Sequence, residues 1–400
     1  MLYSQSLRVS RQDYHLSWGG IVKRLDFLDS LRGIAALFVL IHHVPLLVHP
    51  KLPIPDAITP FVMYGWTGVE LFFVISAFSL CLTMPRHQAS QGPLVSYAIS
   101  RLSRIAPLFY LLVFCNVGYI WFIKGGVVDP LEVLTNLTFT FNLVPSHVNS
   151  MVRAGWTIGT EMLFYLIFPL LYVRFRTIGA RIALICIAIG AWQLFKPVIP
   201  LVEDDVVRNH FAGRTLMVHI VSFALGMLAF SVYSTLKEHP ASRQIGTALL
   251  ACGVLGIGLL IQSPYRFGVL QANQWPSFFY ALILVGLGLC PFSAIVNRVT
   301  TFYGKICYST YLLHVPVLLV LEPAYRWIYA HGPGVPVNFA VCLVLTVAAV
   351  TGVAVVSYRY IEQPGLELGR AIKARLFAKG ERASNVITGR TVHSSPGAKA

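Results

Sequence analysis

Acidic side chains are scarce in this sequence: 16 Asp and Glu in 400 residues, with charged residues of both signs making up only 12% of the chain. An ordinary soluble domain carries roughly twice that charged fraction. Hydrophobic residues reach 56%, more than a soluble core of this size can enclose, so lipid must solvate part of the chain. A cysteine framework is also missing. Cys81, Cys115, Cys186, Cys252, Cys290, Cys307 and Cys342 all lie in apolar runs, and no CxxC spacing occurs. That pattern excludes a disulfide scaffold and gives no zinc site, so no metal is expected. No cleavable signal peptide is expected either, because residues 1–20 are polar and no small-residue cleavage site follows the first apolar run. Internal repeats and a second soluble domain are likewise missing. The net charge of +15 would suit a nucleic-acid partner, but the cations sit in short connections between apolar runs. They report orientation in a membrane, and no nucleic acid is expected.

What is present is a series of long apolar runs. Ten can cross a hydrocarbon core of about 30 Å, at roughly 31–48, 66–84, 105–123, 156–173, 182–195, 216–233, 245–262, 276–296, 302–321 and 336–358. The expected fold is therefore all-α, a polytopic integral membrane protein with about ten transmembrane helices. The stretch 131–144 is apolar but carries Asn136 and Asn142, and reads as a re-entrant or surface segment. With the N-terminus inside, only Lys51, Lys124, Arg153, Lys196, Arg208, Arg214, Arg266 and Arg326 of the 31 cations fall outside. This is the bias the positive-inside rule demands, and it places both termini in the cytoplasm. Residues 1–23 form an N-terminal extension. The basic tail, 365–400, reads as an amphipathic stretch over 366–377 followed by disorder.

Ionisable groups at membrane depth are costly and usually functional. Arg32 and His43 lie eleven residues apart in the first run, close to three full turns, so they share a face and are separated by roughly 16 Å along the axis. His42 is rotated away from that face. Following the direction of each helix puts His43, Glu70, Glu161 and His314 at nearly one level, in the outer half of the bilayer. Histidine with a carboxylate is what acyl transfer to an alcohol needs: a base for the hydroxyl proton and an acid to orient the imidazolium. Trp66 and Trp156 lie just above, where an indole could stack on a sugar or simply serve as an interfacial belt. At the inner surface Arg32, Arg86, Arg101 and Arg104 cluster. They serve either as positive-inside anchors or as a bidentate cradle for the phosphates of a cytoplasmic donor. A pantetheine arm is long and thin enough to join the two levels.

These residues also carry a likeness. Leu25–Ala36 looks like the opening signature of the acyltransferase 3 family of bacterial membrane proteins. Arg32 and His43 fit that family's Arg/Lys-x10-His motif, and Arg101-Leu102-Ser103-Arg104 fits its RxxR motif. Gly68–Ser76, Trp156–Tyr165, Tyr308–Pro316 and Ile361–Pro364 resemble its later blocks, in order, over roughly 24–364. The family's common Ser-Gly-Phe is Ser76-Ala77-Phe78 here. The resemblance implies an O-acyltransferase of the bacterial inner membrane. Acyl-CoA, expected to be acetyl-CoA, is its donor, and a carbohydrate or glycolipid hydroxyl is its acceptor. His43 is then the catalytic residue, with Glu161, Glu70 and His314 beside it, and Arg32, Arg101 and Arg104 serve the donor. No fused esterase domain of the SGNH type is seen, so transfer straight to the final acceptor is expected. The competing reading is a flippase or transporter of a lipid-linked sugar that uses the same histidines and acids as a proton relay.

Overall fold

The computed structural model describes residues 25–263 and 273–387, with side chains to residue 377. The chain opens with α1 (Asp26–Leu46), passes a short α2 (Thr59–Tyr64) and continues through α3 (Gly68–Gln88) and α4 (Pro93–Gly118). A connection built on α5 (Pro130–Leu137) leads to α6 (Trp156–Arg174) and α7 (Ile178–Phe195). The short α8 (Asp205–Arg214) precedes α9 (Leu216–Leu236), α10 (Ser242–Gln262) and α11 (Gln274–Leu289). The last part runs through α12 (Arg298–Lys305), α13 (Cys307–His331), α14 (Val335–Ser357) and α15 (Gln363–Ile387). No strand occurs among the described residues, as expected where lipid offers the backbone no partners and each segment must satisfy its own.

Nine helical segments among the described residues are long and apolar enough to cross a membrane, and α11 is a tenth, shorter apolar helix. This is a multi-pass membrane protein. Several helices start earlier than the sequence expectation, α1 at Asp26, α4 at Pro93 and α7 at Ile178, and two later boundaries differ for a local reason. The run expected over 276–296 ends at Leu289, because Pro291 follows at once and cannot donate to a continuing helix. The run expected over 302–321 is divided: Asn297 caps α12 by accepting from the Val299 and Thr300 amides, and α13 starts only at Cys307. The 1–23 extension and the end of the tail lie outside the described residues.

At the centre stands α3, apolar on every side and therefore buried all round; Val74, Ile75, Ala77 and Phe78 are wholly inaccessible. Its neighbour α9 approaches closely at Gly226, where an added Cβ would lie 2.2 Å from the Val74 carbonyl oxygen and 2.9 Å from the Ala77 Cβ. The methyl at Ala77, where the family commonly has glycine, thus leans on a glycine in the facing helix. Small residues at such crossings are how helices associate without a hydrophobic drive. The outward faces of α6, α7 and α10 expose Leu166, Leu170, Leu194, Leu255 and Leu259, a surface suited to lipid.

The segment 131–144 is neither a free loop nor a span. It folds as α5 and two tight turns whose asparagines are internal struts. Asn136 Oδ1 accepts from Ser150 Oγ (2.6 Å) and the Met151 amide (3.1 Å), and Asn142 Nδ2 donates to the Arg214 carbonyl (3.1 Å). The amphipathic tail stretch belongs to α15 and docks on α4, with Lys373 Nζ donating to Ser100 Oγ at 2.8 Å.

Candidate active site

Toward the N-terminal end of α1 lies a narrow cavity of about 100 Å³, lined by Arg32, Arg101, Arg104, Ser76, Ser79, Glu161 and Tyr165 among others. Arg32 is held from its own helix and from α3. It donates to Asp29 Oδ1, one turn earlier, at 3.1 Å and to Ser79 Oγ at 2.6 Å. Arg101 sits in an aromatic cuff, its guanidinium 6.0 Å from the Tyr97 ring centroid and 5.8 Å from that of Tyr165. Its Nε is buried without a hydrogen-bond partner. Neither Arg101 nor Arg104 pairs with a carboxylate among the described residues. Glu161 faces the same cavity and is fixed by two donors, Ser76 Oγ and Tyr165 OH, each 2.5 Å from Oε1. The cavity therefore offers two unpaired guanidinium groups beside one tightly oriented carboxylate, a surplus of positive charge suited to an anion.

Toward the C-terminal end of α1 the bundle opens into a vestibule of about 1040 Å³, lined by His42, His43, Glu70, Trp66, Trp156, Trp192 and His219. His43 and His314 meet here, His314 Nε2 lying 3.3 Å from His43 Nδ1 and the rings 4.9 Å apart. The hydrogen-bond network assigns the tautomers. His314 Nδ1 lies 2.5 Å from the Tyr311 carbonyl and His43 Nδ1 lies 2.9 Å from the Val39 carbonyl. A carbonyl can only accept, so both neutral rings carry their proton on Nδ1 and both Nε2 atoms are lone-pair acceptors. The His43 Nδ1–H is then shared between the Val39 carbonyl and His314 Nε2. His43 Nε2 is left as the free base.

The residues singled out in the sequence fall into three groups. Arg32, Arg101, Arg104 and Glu161 share the arginine cavity. His43 and His314 touch each other at the vestibule. Glu70, in the first turn of α3, lines the vestibule but bonds neither His43 nor His314, and its carboxylate is buried against α9 and α11. It binds His219 Nδ1 at 2.8 Å and accepts from Ser222 Oγ at 2.5 Å and Ser277 Oγ at 3.3 Å. His219 in turn lies 5.3 Å, ring to ring, from Trp156. Common depth along the helix axes did not translate into one contact cluster, because rotation about each axis decides which partner a side chain meets. Sequence reasoning missed Tyr165, Ser79 and His219. Tyr165 was findable as the i+4 neighbour of Glu161, and His219 as one more histidine near the start of an apolar run.

The two compartments are not independent. Val69 and Tyr311 line both of them, so one thin wall of side chains stands between the arginine cavity and the vestibule. Tyr311 also supplies the carbonyl that fixes the His314 tautomer.

Residues 25–358 match the acyltransferase domain family, and the chain belongs to it: this is an acyltransferase of the membrane. Membership decides between the two sequence readings in favour of the enzyme over the transporter. Among curated proteins, the chain is 25% identical to the exopolysaccharide production protein ExoZ of Rhizobium meliloti (strain 1021), over 80% of this chain and 95% of that one. It is 23% identical to the O-acetyltransferase OatA of Staphylococcus aureus (strain NCTC 8325 / PS 47), over 91% of this chain but only 61% of that protein's length. It is 24% identical to the acyltransferase MdmB of Streptomyces mycarofaciens, over 74% and 80% of the two chains. No solved structure is a significant match.

Proposed function

We propose that this protein moves an acyl group, acetyl in the first instance, from acyl-CoA in the arginine cavity to a carbohydrate hydroxyl in the vestibule. The observation that carries this reading is the shared wall: an anion-binding cavity and a free imidazole base lie on either side of Val69 and Tyr311. Arg101 and Arg104, with Arg32 held between Asp29 and Ser79, take the donor's phosphates. The thioester then reaches the histidines along α1, roughly 16 Å away. His43 Nε2 accepts the acceptor's hydroxyl proton as the oxygen bonds to the thioester carbonyl carbon. The carbon–sulfur bond breaks, and the CoA thiolate takes the proton from His43. His314 Nε2 and the Val39 carbonyl hold the His43 Nδ1–H throughout and steady the transient imidazolium.

The names of the relatives support this choice of acceptor and group: ExoZ serves exopolysaccharide production and OatA transfers acetyl to oxygen. With the cationic loops of the arginine side facing the cytoplasm, the donor side meets the acyl-CoA pool and the vestibule faces outward across a bacterial inner membrane. The test is release of CoA thiol from acetyl-CoA by the purified protein with an oligosaccharide acceptor, followed by mass spectrometry of the sugar for the added acetyl. Thiol release without acetylated sugar, or none above a His43→Ala control, counts against the reading.

A further inference from the structure

The vestibule holds charges that acid–base chemistry at His43 does not use. Lys124, Arg153 and Arg214 line it, from the end of the α4 segment, from the loop before α6 and from the end of α8. Of the other cations expected on the outer side, Arg208 pairs with Asp205 and Arg326 with Glu322, while Lys51 and Lys196 pair with no carboxylate among the described residues. None of the three vestibule cations pairs with a carboxylate among the described residues. Two acids face the same space. Glu70 is consumed by His219, Ser222 and Ser277, so Glu132 alone opposes the three cations.

The cations are presented by ordered structure. Arg214 lies 5.9 Å from the Trp156 ring centroid, Trp156 packs on His219, and His219 is anchored by Glu70. Arg153 projects from a turn flanked by Ser150 at φ 63° and Ala154 at φ 61°, left-handed conformations that persist only where surroundings enforce them. Asn116 holds that turn by donating to the Met151 carbonyl at 2.6 Å, and Asn136 holds it through Ser150. Arg214, half-buried against the Trp156 indole, lies in the same cavity as the free base, and the exposed Arg153 and Lys124 line that cavity with it, a placement that serves a bound saccharide.

We propose that the acceptor is an anionic saccharide, whose carboxylate or phosphate oxygens are held by Arg153, Arg214 and Lys124 while a sugar ring lies on Trp66 or Trp156. This deepens the acyl-transfer reading and rests on it for the identity of the vestibule as the acceptor side. Guanidinium groups give such oxyanions paired hydrogen bonds, and aromatic faces suit the apolar face of a sugar ring.

The experiment follows quenching of tryptophan fluorescence in the purified protein with three probes: trigalacturonate, the neutral trisaccharide obtained by reducing its carboxyls, and farnesyl pyrophosphate. The acidic trisaccharide should bind at least about tenfold more tightly than the neutral one, since one charge-assisted hydrogen bond is worth about a decade of affinity. That advantage should shrink with added salt and vanish in R153Q/R214Q, while R153K/R214K keeps part of it. Tight binding of farnesyl pyrophosphate alone, lost in the same Gln variant, assigns the anion to a lipid-linked diphosphate and upholds the cationic site. Equal binding of acidic and neutral probes with no diphosphate binding, or binding unchanged in R153Q/R214Q, overturns the proposal. If the acidic probe binds with the expected preference and loses it in R153Q/R214Q, while wild type releases no CoA with any acceptor, the acyl-transfer reading fails and the anion site stands.

Discussion

The contact between His314 and His43 allows the contribution of each ring to be forecast separately. Replacing His43 by alanine removes the free Nε2 base, a loss of about 10²–10⁴ in rate. Replacing His314 by alanine leaves that base in place and removes only one of two acceptors for its Nδ1–H. The remaining acceptor, the Val39 carbonyl at 2.9 Å, is closer than His314 Nε2 at 3.3 Å. The lost interaction therefore belongs at the low end for a hydrogen bond to a charged group, about 1.5 kcal/mol, which is about tenfold in kcat. His314→Gln keeps an acceptor oxygen at similar reach and should recover part of that loss. The assay is initial rate of thiol release at saturating acetyl-CoA and acceptor, on variants that elute as monodisperse peaks. The KM for acetyl-CoA should stay near wild type in both His314 variants, because neither touches the arginine cavity. If His314→Ala is as inactive as His43→Ala and glutamine rescues nothing, His314 contacts the reacting atoms itself and the tautomer assignment is wrong.

His42, whose Nδ1 lies 3.1 Å from the Val62 carbonyl, meets the His43 ring only edge-on, 5.2 Å between centroids, and His42→Ala should be far milder than His43→Ala in the same assay. Arg101→Ala or Arg104→Ala should raise the KM for acetyl-CoA by about tenfold or more while leaving the acceptor KM nearly unchanged, with lysine restoring only part because it lacks the bidentate fork; unchanged acetyl-CoA titrations would reduce these arginines to membrane anchors. Glu70→Ala leaves Ser222 and Ser277 only each other and the Asn273 carbonyl, and holds His219 by the Gly213 carbonyl alone; the loss of a buried acceptor should cost about 1–3 kcal/mol of stability and raise the acceptor KM through Trp156, and a wild-type melting temperature in detergent would contradict this. Gly226→Ala drives a methyl to 2.2 Å from the Val74 carbonyl oxygen and should lower the melting temperature by an amount equivalent to about 1–3 kcal/mol.

The spans were legible because lipid imposes a length and an apolarity that few other constraints mimic. Arg32 and His43 were legible as a pair because they ride one helix, where spacing fixes both height and face. Heights of residues on different helices were readable too, but their partners were not. Helix α3 is apolar all round, so nothing in its sequence says which side Glu70 shows, and packing turned it to α9 and α11. Glu161 was read as lying at the level of His43. Its partners, Ser76 and Tyr165, draw it instead toward Arg101 on the other side of the Tyr311 wall. The end of α11 at Leu289 was written in Pro291, and an apolar window long enough to include Val296 obscured it. The asparagines of 131–144 argued correctly against a span, but only the structure shows that Asn136 braces the turn carrying Arg153 and that Asn142 holds the Arg214 carbonyl at the end of α8.

That wall bears on how an acyl-CoA enzyme avoids spending its donor on water. Tyr311 is 6% exposed, Val69 7% and His314 1%, and the Tyr311 ring stands edge-on to Phe72 at 5.5 Å. On the acyl-transfer reading, the thioester crosses this apolar collar before it meets the base, and the vestibule beyond is wide enough to hold water as well as a sugar. Discrimination against water then cannot rest on dryness alone. It must come from positioning: an acceptor fixed by stacking and charge presents its hydroxyl to His43 Nε2 far more often than a freely turning water does. On that reading the cations and indoles lining the vestibule supply that fixation at the one end of α1 where it is needed, and the arginine cavity supplies it at the other.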